Sequence, residues 1–315
     1  MIRLSFIVPF YNVEKYIKDC LRSLYNQDIS MEEYEVICVD DCSPDGSRAI
    51  VERLQKEYPT LRLLVHTENK RQGGARNTGL REAKGKYVWF VDSDDYIKPN
   101  CLKGLLEQVE SEDLDILDFD FDSDFTKQQY RKNVEEYDMG PCAGADYVFN
   151  TRKGRWSWRC SSVCGAIIRR ELIHDLPFRE NVQYEDNDYA LWMYAKAKRV
   201  HHISDRPYYY RVVEDSTVHA VVTLKHVNYN IQLIRAYMRM YDKMKVIDER
   251  WAHGLEELIR YVSSQVLRQL HQVSEEEQGM FYKQHMGRIQ NLKLHIGLKP
   301  WIALQSKIAR RVLGV

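Results

Sequence analysis

The sequence predicts an α/β protein with a doubly wound, mostly parallel sheet and a helical C-terminal extension. Two observations predict it. Over the first 120 residues, short apolar runs rich in β-branched side chains alternate with helical patterns of about a dozen residues, which is typical of a parallel sheet. From about residue 222 onward the apolar spacing is helical throughout, and this region contains a single proline, Pro300.

The predicted strands and helices of the first region follow one another in a regular order. Strands are expected at residues 4–10, 34–40, 61–66 and 86–91, and helices at 13–27, 46–58, 73–83 and 100–110. In the second helix, for example, Ile50, Val51 and Leu54 share one face. Pro99 precedes the fourth helix, where proline suits the first turn. A fifth strand, in which Ile, Leu and Phe alternate with Asp, is expected at 114–122, and its acidic residues are interpreted as structural.

Residues 123–160 lose this alternation and become polar and aromatic, so we expect them to lie over the sheet rather than to extend it. A further strand is predicted at 162–170, and a helix with an acidic first turn at 184–197. We therefore divide the chain into a domain at 1–220, with halves at 1–122 and 123–220, and an extension at 221–315.

Composition excludes several classes of protein. Lys and Arg (46) balance Asp and Glu (46), so net charge gives no reason to expect a nucleic-acid partner. Seven cysteines complete no zinc-ligand set and fit reduced thiols. The first apolar run is too short for a signal peptide, and no stretch approaches the roughly 18–20 apolar residues of a membrane span. We expect a cytoplasmic protein.

Acidic residues follow two of the predicted strands at the point where each strand ends. Asp40 and Asp41 close the second strand, and Asp92 and Asp94 directly follow the fourth. Open α/β sheets bind ligands outside the carboxyl ends of their strands, so these carboxylates are expected to converge on one edge. Such oxygen ligands suit Mg²⁺ or Mn²⁺, which commonly bind together with a phosphorylated substrate.

The sequence has neither a P-loop nor a dinucleotide-binding motif to hold a phosphate. The segment "GGARNTG" (73–79) opens a predicted helix, and its free backbone N–H groups and Arg76 can help to hold a diphosphate. Structural alternatives exist for each feature: a D-x-D triplet arises by chance, Asp40 and Asp41 can form a capped turn, and the glycines can serve a tight turn. Their order at successive strand ends favours a ligand site.

Four segments, taken in order, resemble the family 2 glycosyltransferases: "SFIVPFYNVEKYIKDCLRSLYNQ", "YEVICVDDCSPDGS", "NKRQGGARNTGLREAKGKYVWFVDSDDY" and "YEDNDYALWM". The resemblance covers about residues 3–120 closely and continues loosely to about 215. It implies a GT-A fold that binds a nucleotide-diphosphate sugar and an enzyme that inverts the anomeric carbon. In these terms, 1–122 is the nucleotide-sugar-binding half and 123–220 the acceptor-binding half.

The resemblance also implies roles for individual residues. The donor-binding candidates are Pro9, Phe10, Tyr11, Glu14, Asp40, Asp41, Arg76, Asp92 and Ser93. Asp40 would accept a hydrogen bond from the uracil imide, and Arg76 would approach the base or the diphosphate. Asp92 would contact the ribose, and Asp94 together with Asp92 would hold the Mn²⁺ or Mg²⁺ ion. Asp95 is expected to be structural.

In "YEDNDYA" the same resemblance makes Asp186 the general base that takes the proton of the acceptor hydroxyl, with Glu185 beside it as a second catalytic candidate. The structural alternative is that both acids simply stabilise the first turn of a helix through its dipole. The three other motifs favour the catalytic interpretation.

Three further residues are candidates for contact with the acceptor. Trp156 and Trp158 can stack against sugar faces, and His219 can contact the acceptor, the metal or the diphosphate. The alternatives are two tryptophans that cover the sheet and a solvated loop histidine.

The last thirty residues, 286–315, contain six Lys or Arg and no acid, with apolar residues at helical spacing after Pro300. A basic amphipathic helix can bind an anionic membrane surface, although packing on its own domain is the alternative. The helices predicted at 224–245 and 252–273 can also form a homodimer interface.

With the resemblance, the sequence predicts a metal-dependent inverting glycosyltransferase of surface polysaccharide biosynthesis. It would move a sugar from a UDP-sugar to a hydroxyl of a glycan or lipid-linked acceptor. One alternative is a sugar nucleotidyltransferase, although such enzymes usually have a glycine-rich basic loop where this chain has "PFYNVEKY". Another is a non-catalytic nucleotide-sugar-binding partner subunit, which would have no use for Asp186. The identity of the sugar stays open.

Overall fold

The computed structural model describes residues 1–123, 139–150, 162–213 and 222–281. The chain forms two compact units, Met1–Ser216 and Thr217–Val315. Trp156, Trp158 and His219, like the basic segment 286–315, lie outside the described residues.

The first unit begins with alternating strands and helices, as the sequence predicts. Its elements up to residue 111 are β1 (Leu4–Phe10), α1 (Ile17–Tyr25), a 3₁₀ turn (Met31–Glu33), β2 (Tyr34–Asp40), α2 (Ser47–Leu54), β3 (Leu61–Val65), α3 (Arg71–Glu82), β4 (Tyr87–Phe90), β5 (Tyr96–Ile97) and α4 (Leu102–Ser111). The elements that follow are β6 (Ile116–Ser123), β7 (Met139–Cys142), α5 (Gly144–Asn150), β8 (Ala166–Arg169), α6 (Arg170–Ile173), α7 (Glu185–Lys196) and β9 (Val200–Tyr210).

These strands form one mixed sheet in the order β3-β2-β1-β4-β8-β6-β9-β5, with β7 paired to β9. Strands β3, β2, β1 and β4 are parallel, and so are β6 and β9. The four-residue strand β8 runs antiparallel to both β4 and β6 and joins the two parallel groups. The predicted α/β fold with a doubly wound sheet is confirmed.

One expectation about the sheet was wrong. Residues 123–160 were expected to lie over the sheet, but β7 within them pairs antiparallel with β9 and widens it. Strand β7 has the sequence "MGPC". Glycine and proline both have low β-strand propensity, so propensity alone does not predict a strand here.

The register of the parallel strands determines where the site lies. Phe10 at the end of β1 pairs with Asp40 at the end of β2, so these two strands end at the same level. Strand β4 ends earlier, because Phe90 pairs with Ile7 and the chain then leaves the sheet. All seven residues of β1 and all of β2 are buried, as is typical of strands covered on both faces.

The acids of β6 support the structural interpretation. The carboxylate of Asp118 is buried and accepts hydrogen bonds from Tyr147 (2.5 Å) and Tyr194 (2.7 Å), and it lies 2.6 Å from Nδ1 of His202. These partners belong to α5, α7 and β9, so one buried carboxylate connects three elements to β6.

The second unit contains two long helices, α8 (Leu224–Ile247) and α9 (Glu249–Leu270), as predicted. Asn230 bonds to Gln269 at 2.8 Å and Tyr241 to Glu256 at 2.9 Å, so the helices pair as antiparallel neighbours. In the parts of the chain that the structure describes, no helix combines the length and apolar character needed to cross a bilayer.

Candidate active site

The loops that follow β1 and β2 are joined to each other by hydrogen bonds. Glu14 accepts a bond from the backbone N–H of Gly46 at 2.6 Å, and its own N–H donates to Asp45 at 2.9 Å. The ring of Tyr11 is 48% exposed at the rim of these loops. By contrast, the side chains of Pro9 and Phe10 are buried in the sheet, so of these three donor candidates it is Tyr11 that presents its ring to a ligand.

The two acids at the end of β2 have different surroundings. Asp40 is buried, and its Oδ1 accepts one hydrogen bond, from Ser43 N at 2.8 Å. Oδ1 of Asp41 lies 2.8 Å from Nδ1 of His66 and accepts another bond, from Lys70 N, at 2.8 Å. Asp41 therefore holds the ends of β2 and β3 and the entry to α3 together, and Asp40 is the acid with more acceptor capacity left.

Residues 92–95, which we call the β4 tip, form a tight turn in which Asp95 N donates to Asp92 O at 3.0 Å. Asp95 is 1% exposed and accepts bonds from the hydroxyl of Tyr208 and from the backbone N–H of Arg211. Burial and the charges of Asp94 and Asp92 raise the pKa of Asp95 to about 8. These contacts support the structural role expected for Asp95.

The metal candidates of the β4 tip are Asp92 and Asp94. Asp92 accepts a hydrogen bond from Nη2 of Arg76 at 2.8 Å, and Ser93 between the two acids is buried. Burial and the charge of Asp92 raise the pKa of Asp94 to about 6. Among the described residues, no three His, Cys, Asp or Glu side chains gather into a preformed metal site. The β4 tip thus offers two carboxylates at most.

The start of α3 does not face an open pocket. A Cβ atom on Gly73 would lie 2.1 Å from the carbonyl oxygen of Arg179, so glycine is needed here for close packing. Whether the N–H groups of this helix start also contact a diphosphate stays a prediction. Gly73, Arg76 and Asn77 form a surface, the α3 docking face, against which another part of the chain packs.

That part is the segment 178–184, which leads into α7. Asn77 donates to the carbonyl of Phe178 at 3.0 Å and accepts a bond from its N–H at 2.8 Å. The guanidinium of Arg76 lies 5.6 Å from the centre of the Phe178 ring. The side chain of Asn77 therefore makes both a donor and an acceptor hydrogen bond with the backbone of Phe178, as a residue of a neighbouring β-strand does.

Arg76 is the central residue of the site. It is 1% exposed, and its Nη1 donates to Glu185 at 2.5 Å while its Nη2 contacts Asp92. The sequence predicted Arg76 as a contact of the donor, and that role stays a prediction. In this structure its side chain joins the β4 tip to the first residue of α7.

The turn before α7 is held in an unusual backbone conformation. Tyr184 has φ 61°, and its carbonyl accepts a hydrogen bond from Arg179, which also binds Asp188. Such a left-handed residue costs about 1–3 kcal/mol and persists only where its surroundings hold it. The turn presents Glu185 buried and Asp186 half-buried at the helix start.

The carboxyl of Asp186 lies in surroundings that favour its protonated form. It accepts a hydrogen bond from the amide of Asn187 at 3.0 Å. Burial and the neighbouring charge of Glu185 raise the pKa of Asp186 to about 7, although Arg76 opposes this shift. A base with a pKa near the working pH is both available and strong enough to accept a proton.

Sequence reasoning missed several residues that shape this site. Asn77 and Arg179 bind the backbone before α7, and Tyr208 binds Asp95. The guanidinium carbon of Arg211 lies over the rings of Tyr16 and Tyr96, 5.1 and 5.4 Å from their centres. The run of tyrosines in "RPYYYR" is a signal in the sequence that could have indicated such a cluster.

Comparisons with known proteins point to one family. Residues 5–176 match the model of Glycosyl transferase family 2. The glycosyltransferase EpsJ of Bacillus subtilis, described as uncharacterized, is 33% identical over 216 residues, which are 66% of this chain and 60% of EpsJ. The poly(ribitol-phosphate) beta-N-acetylglucosaminyltransferase TarS of Staphylococcus aureus is 33% identical over 213 residues, 67% of this chain and 35% of TarS.

A solved structure is similar as well. The crystal structure of TarS residues 1–349 in complex with UDP superposes with a TM-score of 0.63 at 25% identity, covering 89% of this chain and 78% of that one. The chain spans less than two thirds of the length of EpsJ and about one third of TarS. By its sequence profile, its relatives and its fold, the chain belongs to family 2 of the glycosyltransferases.

Proposed function

We propose that the chain transfers a sugar from a UDP-sugar to a hydroxyl of a glycan or lipid-linked acceptor. The reaction would invert the anomeric carbon, depend on a divalent metal and serve surface polysaccharide biosynthesis. One observation carries the proposal: Arg76 brings the acids of the β4 tip next to Asp186 at the start of α7. The similarity to TarS, a sugar transferase whose structure contains UDP, supports the donor class.

The donor would bind over the ends of β1, β2 and β4. Asp40 would accept the imide N–H of uracil, since a carboxylate can accept several hydrogen bonds and Ser43 N supplies one. The exposed ring of Tyr11 would lie against the base, and Glu14 and Asp41 would hold the surrounding loops in place. The ribose would contact Asp92.

The β4 tip fits a divalent ion that shares its coordination with a substrate. Mg²⁺ and Mn²⁺ sites of this kind use one or two carboxylates together with substrate phosphates, and Asp94 and Asp92 supply that number. Burial and the charge of Asp92 raise the pKa of Asp94, and a bound cation would offset both effects, which supports this proposal. When bound, the ion would stabilise the negative charge that develops on the leaving diphosphate.

Asp186 would act as the general base. It would accept the proton of the acceptor hydroxyl as that oxygen forms a bond to the anomeric carbon, while the bond from this carbon to the diphosphate oxygen breaks. Attack from the face opposite the leaving group gives inversion. Trp156, Trp158 and His219 stay proposals for the acceptor side.

The test is a donor screen with purified protein. UDP-glucose, UDP-galactose and their N-acetyl forms would each be added with Mn²⁺, Mg²⁺ or EDTA, and UDP release and the thermal midpoint would be followed. We expect one sugar to give metal-dependent UDP release that is lost in Asp94→Ala. Absence of any response to UDP would contradict the donor site built on Asp40, Asp92 and Asp94.

The division at residue 220 and the contacts of the extension also belong to this proposal. The extension, 221–315, would place the enzyme near a lipid-linked acceptor through the basic segment 286–315, or would form a homodimer. Flotation of the full chain with anionic liposomes, compared with a chain ending at residue 285, tests membrane contact. Equal flotation of the two would contradict it.

A further inference from the structure

The guanidinium of Arg76 joins two carboxylates that are far apart in sequence. Its Nη1 donates to Glu185, 109 residues away, at 2.5 Å, and its Nη2 donates to Asp92, 16 residues away, at 2.8 Å. With 1% of its surface exposed, Arg76 depends on both acids for its stability, because a buried charge needs charged partners. Arg76 therefore fixes the start of α7 relative to the β4 tip.

We propose that Arg76 is a positioning residue which holds Asp186 at a set place relative to the donor, and that Glu185 is the partner of Arg76 rather than a second base. This inference rests on the proposed function, in which Asp186 is the base and Asp92 belongs to the donor site. Placement matters for the rate, since an error of about 1 Å in a reacting group can cost about 10²-fold.

The surroundings of Arg76 do not suit direct contact with a diphosphate. Gly73, one helical turn before it, packs against the carbonyl of Arg179 and closes this side of α3. The ring of Phe178 lies 5.6 Å from the guanidinium carbon. A phosphate that approached Arg76 would have to displace Glu185 or Asp92 from it.

The surroundings of Glu185 do not suit a general base either. Glu185 is 3% exposed, and its carboxylate is paired with Arg76. If it accepted a proton, the pair would lose its charge complementarity while the guanidinium stayed buried, which is unfavourable. The neighbouring Asp186 is half-buried and accepts a hydrogen bond from a neutral amide, so it can accept a proton without breaking an ion pair.

The test is a double-mutant cycle on the full chain with Arg76→Lys, Glu185→Gln and the double variant, beside Asp186→Asn. The kcat of transfer, the donor KM and the Kd for UDP with Mn²⁺ would be measured. A lysine can reach one of the two acids, so we expect kcat to fall about 10²-fold with UDP affinity nearly unchanged. Asp186→Asn should lower kcat by about 10²–10⁴-fold.

Glu185→Gln keeps an oxygen that can accept from Arg76, so we expect a loss of about tenfold in kcat. The double variant should be no slower than Arg76→Lys, because both substitutions act through one contact. Arg62→Lys is the matched control. Arg62 also bridges two acids, Glu35 at 3.2 Å and Glu82 at 2.7 Å, but outside the site, and its replacement should leave kcat unchanged.

Three outcomes in an active enzyme would overturn the inference. Multiplicative losses in the double variant would show that Arg76 and Glu185 act independently. A loss in Glu185→Gln equal to that in Asp186→Asn would make Glu185 a base, and this comparison holds even if Arg76→Lys does not fold. An increase in the Kd for UDP with unchanged kcat would make Arg76 a donor contact. A wild-type chain without UDP binding would instead overturn the proposed function, and the inference with it.

Discussion

The hydroxyl of Tyr208 donates a hydrogen bond of 2.5 Å to Asp95 and accepts one of 3.2 Å from the backbone N–H of Asp92. Tyr208 lies near the end of β9, 113 residues from Asp95. A single phenol therefore closes the β4 tip from the opposite part of the sheet. The conformation of the metal candidates depends on a strand that is distant from them in sequence.

Replacement of Tyr208 by Phe tests this dependence. The change leaves the buried Asp95 without one of its partners, so we expect the free energy of unfolding to fall by about 1–3 kcal/mol. Urea unfolding measures it. Tyr261→Phe is the control, because that ring is 59% exposed and its replacement should stay within about 0.5 kcal/mol of wild type. An equally small effect at Tyr208 would contradict the structural role of this contact.

Removal of the metal tests the role of Asp94. We expect UDP to raise the thermal midpoint in the presence of Mn²⁺, and EDTA to abolish most of this increase, because the two acids alone repel a diphosphate. Asp94→Asn should mimic EDTA. Asp113→Asn, a change at an exposed acid far from the β4 tip in sequence, should respond to UDP as wild type does. A UDP response that EDTA leaves intact would show that binding needs no metal.

The pKa of about 7 for Asp186 predicts the pH dependence of turnover. A general base must be deprotonated to act, and kcat/KM reports the pKa values of the free enzyme, so kcat/KM for the donor should rise with pH through about 7 and level off above it. Initial rates between pH 5.5 and 9 at donor concentrations well below KM would show this. A rate that is already constant from pH 5.5 upward would argue against Asp186 as the base.

The raised pKa of Asp186 also predicts how stability depends on pH. The free energy of unfolding should fall as the pH rises, whereas turnover should increase. Because the folded-state pKa of Asp186 is raised above the unfolded value, the folded chain binds the proton more tightly, and this contribution to stability is lost as pH rises through about 7. The variant Asp186→Asn has no ionisable carboxyl at this position, so it does not lose this stability as the pH rises. We expect the variant to be more stable than wild type at pH 8, by on the order of 1 kcal/mol, but not at pH 4. Equal stability at both pH values would count against the raised pKa.

Two glycine substitutions test the docking of α3. Gly73→Ala places a methyl group 2.1 Å from a backbone oxygen, so we expect a loss of stability of about 1–3 kcal/mol and a fall in kcat. Gly104→Ala in α4 meets nothing within 4 Å and should stabilise the helix by about 0.5–1 kcal/mol. Thermal and urea unfolding of the two variants and of the wild type would measure both changes in stability. A neutral Gly73→Ala would mean that α3 does not pack closely there.

The sequence predicted best those features that depend on local periodicity. The apolar runs of β1 to β4 and the helices between them identified the parallel half of the sheet, and the acids after β2 and β4 marked its ligand edge. These signals are local, because a buried strand and the turn that ends it leave their pattern in adjacent residues.

What the sequence could not provide were contacts across the fold. The segment "GGARNTG" suggested a phosphate loop, yet Gly73 and Asn77 serve the packing of the segment before α7. The same residue types suit both uses, since small residues permit close approach of a ligand or of backbone. The partners of Arg76 and Asp95 lie 109 and 113 residues away, and no local pattern specifies such pairs.

The position of β8 has a consequence for how the chain folds during synthesis. Strands β4 and β6 are separated in the sheet by β8, residues 166–169, which follows both of them in the sequence. Until about 170 residues have left the ribosome, both strands expose an apolar edge without a partner, and such edges invite pairing with other chains. A nascent chain paused in this interval would be a natural substrate for chaperones, although its β1–β4 sheet can already be in place. Only the arrival of one four-residue strand makes the sheet continuous.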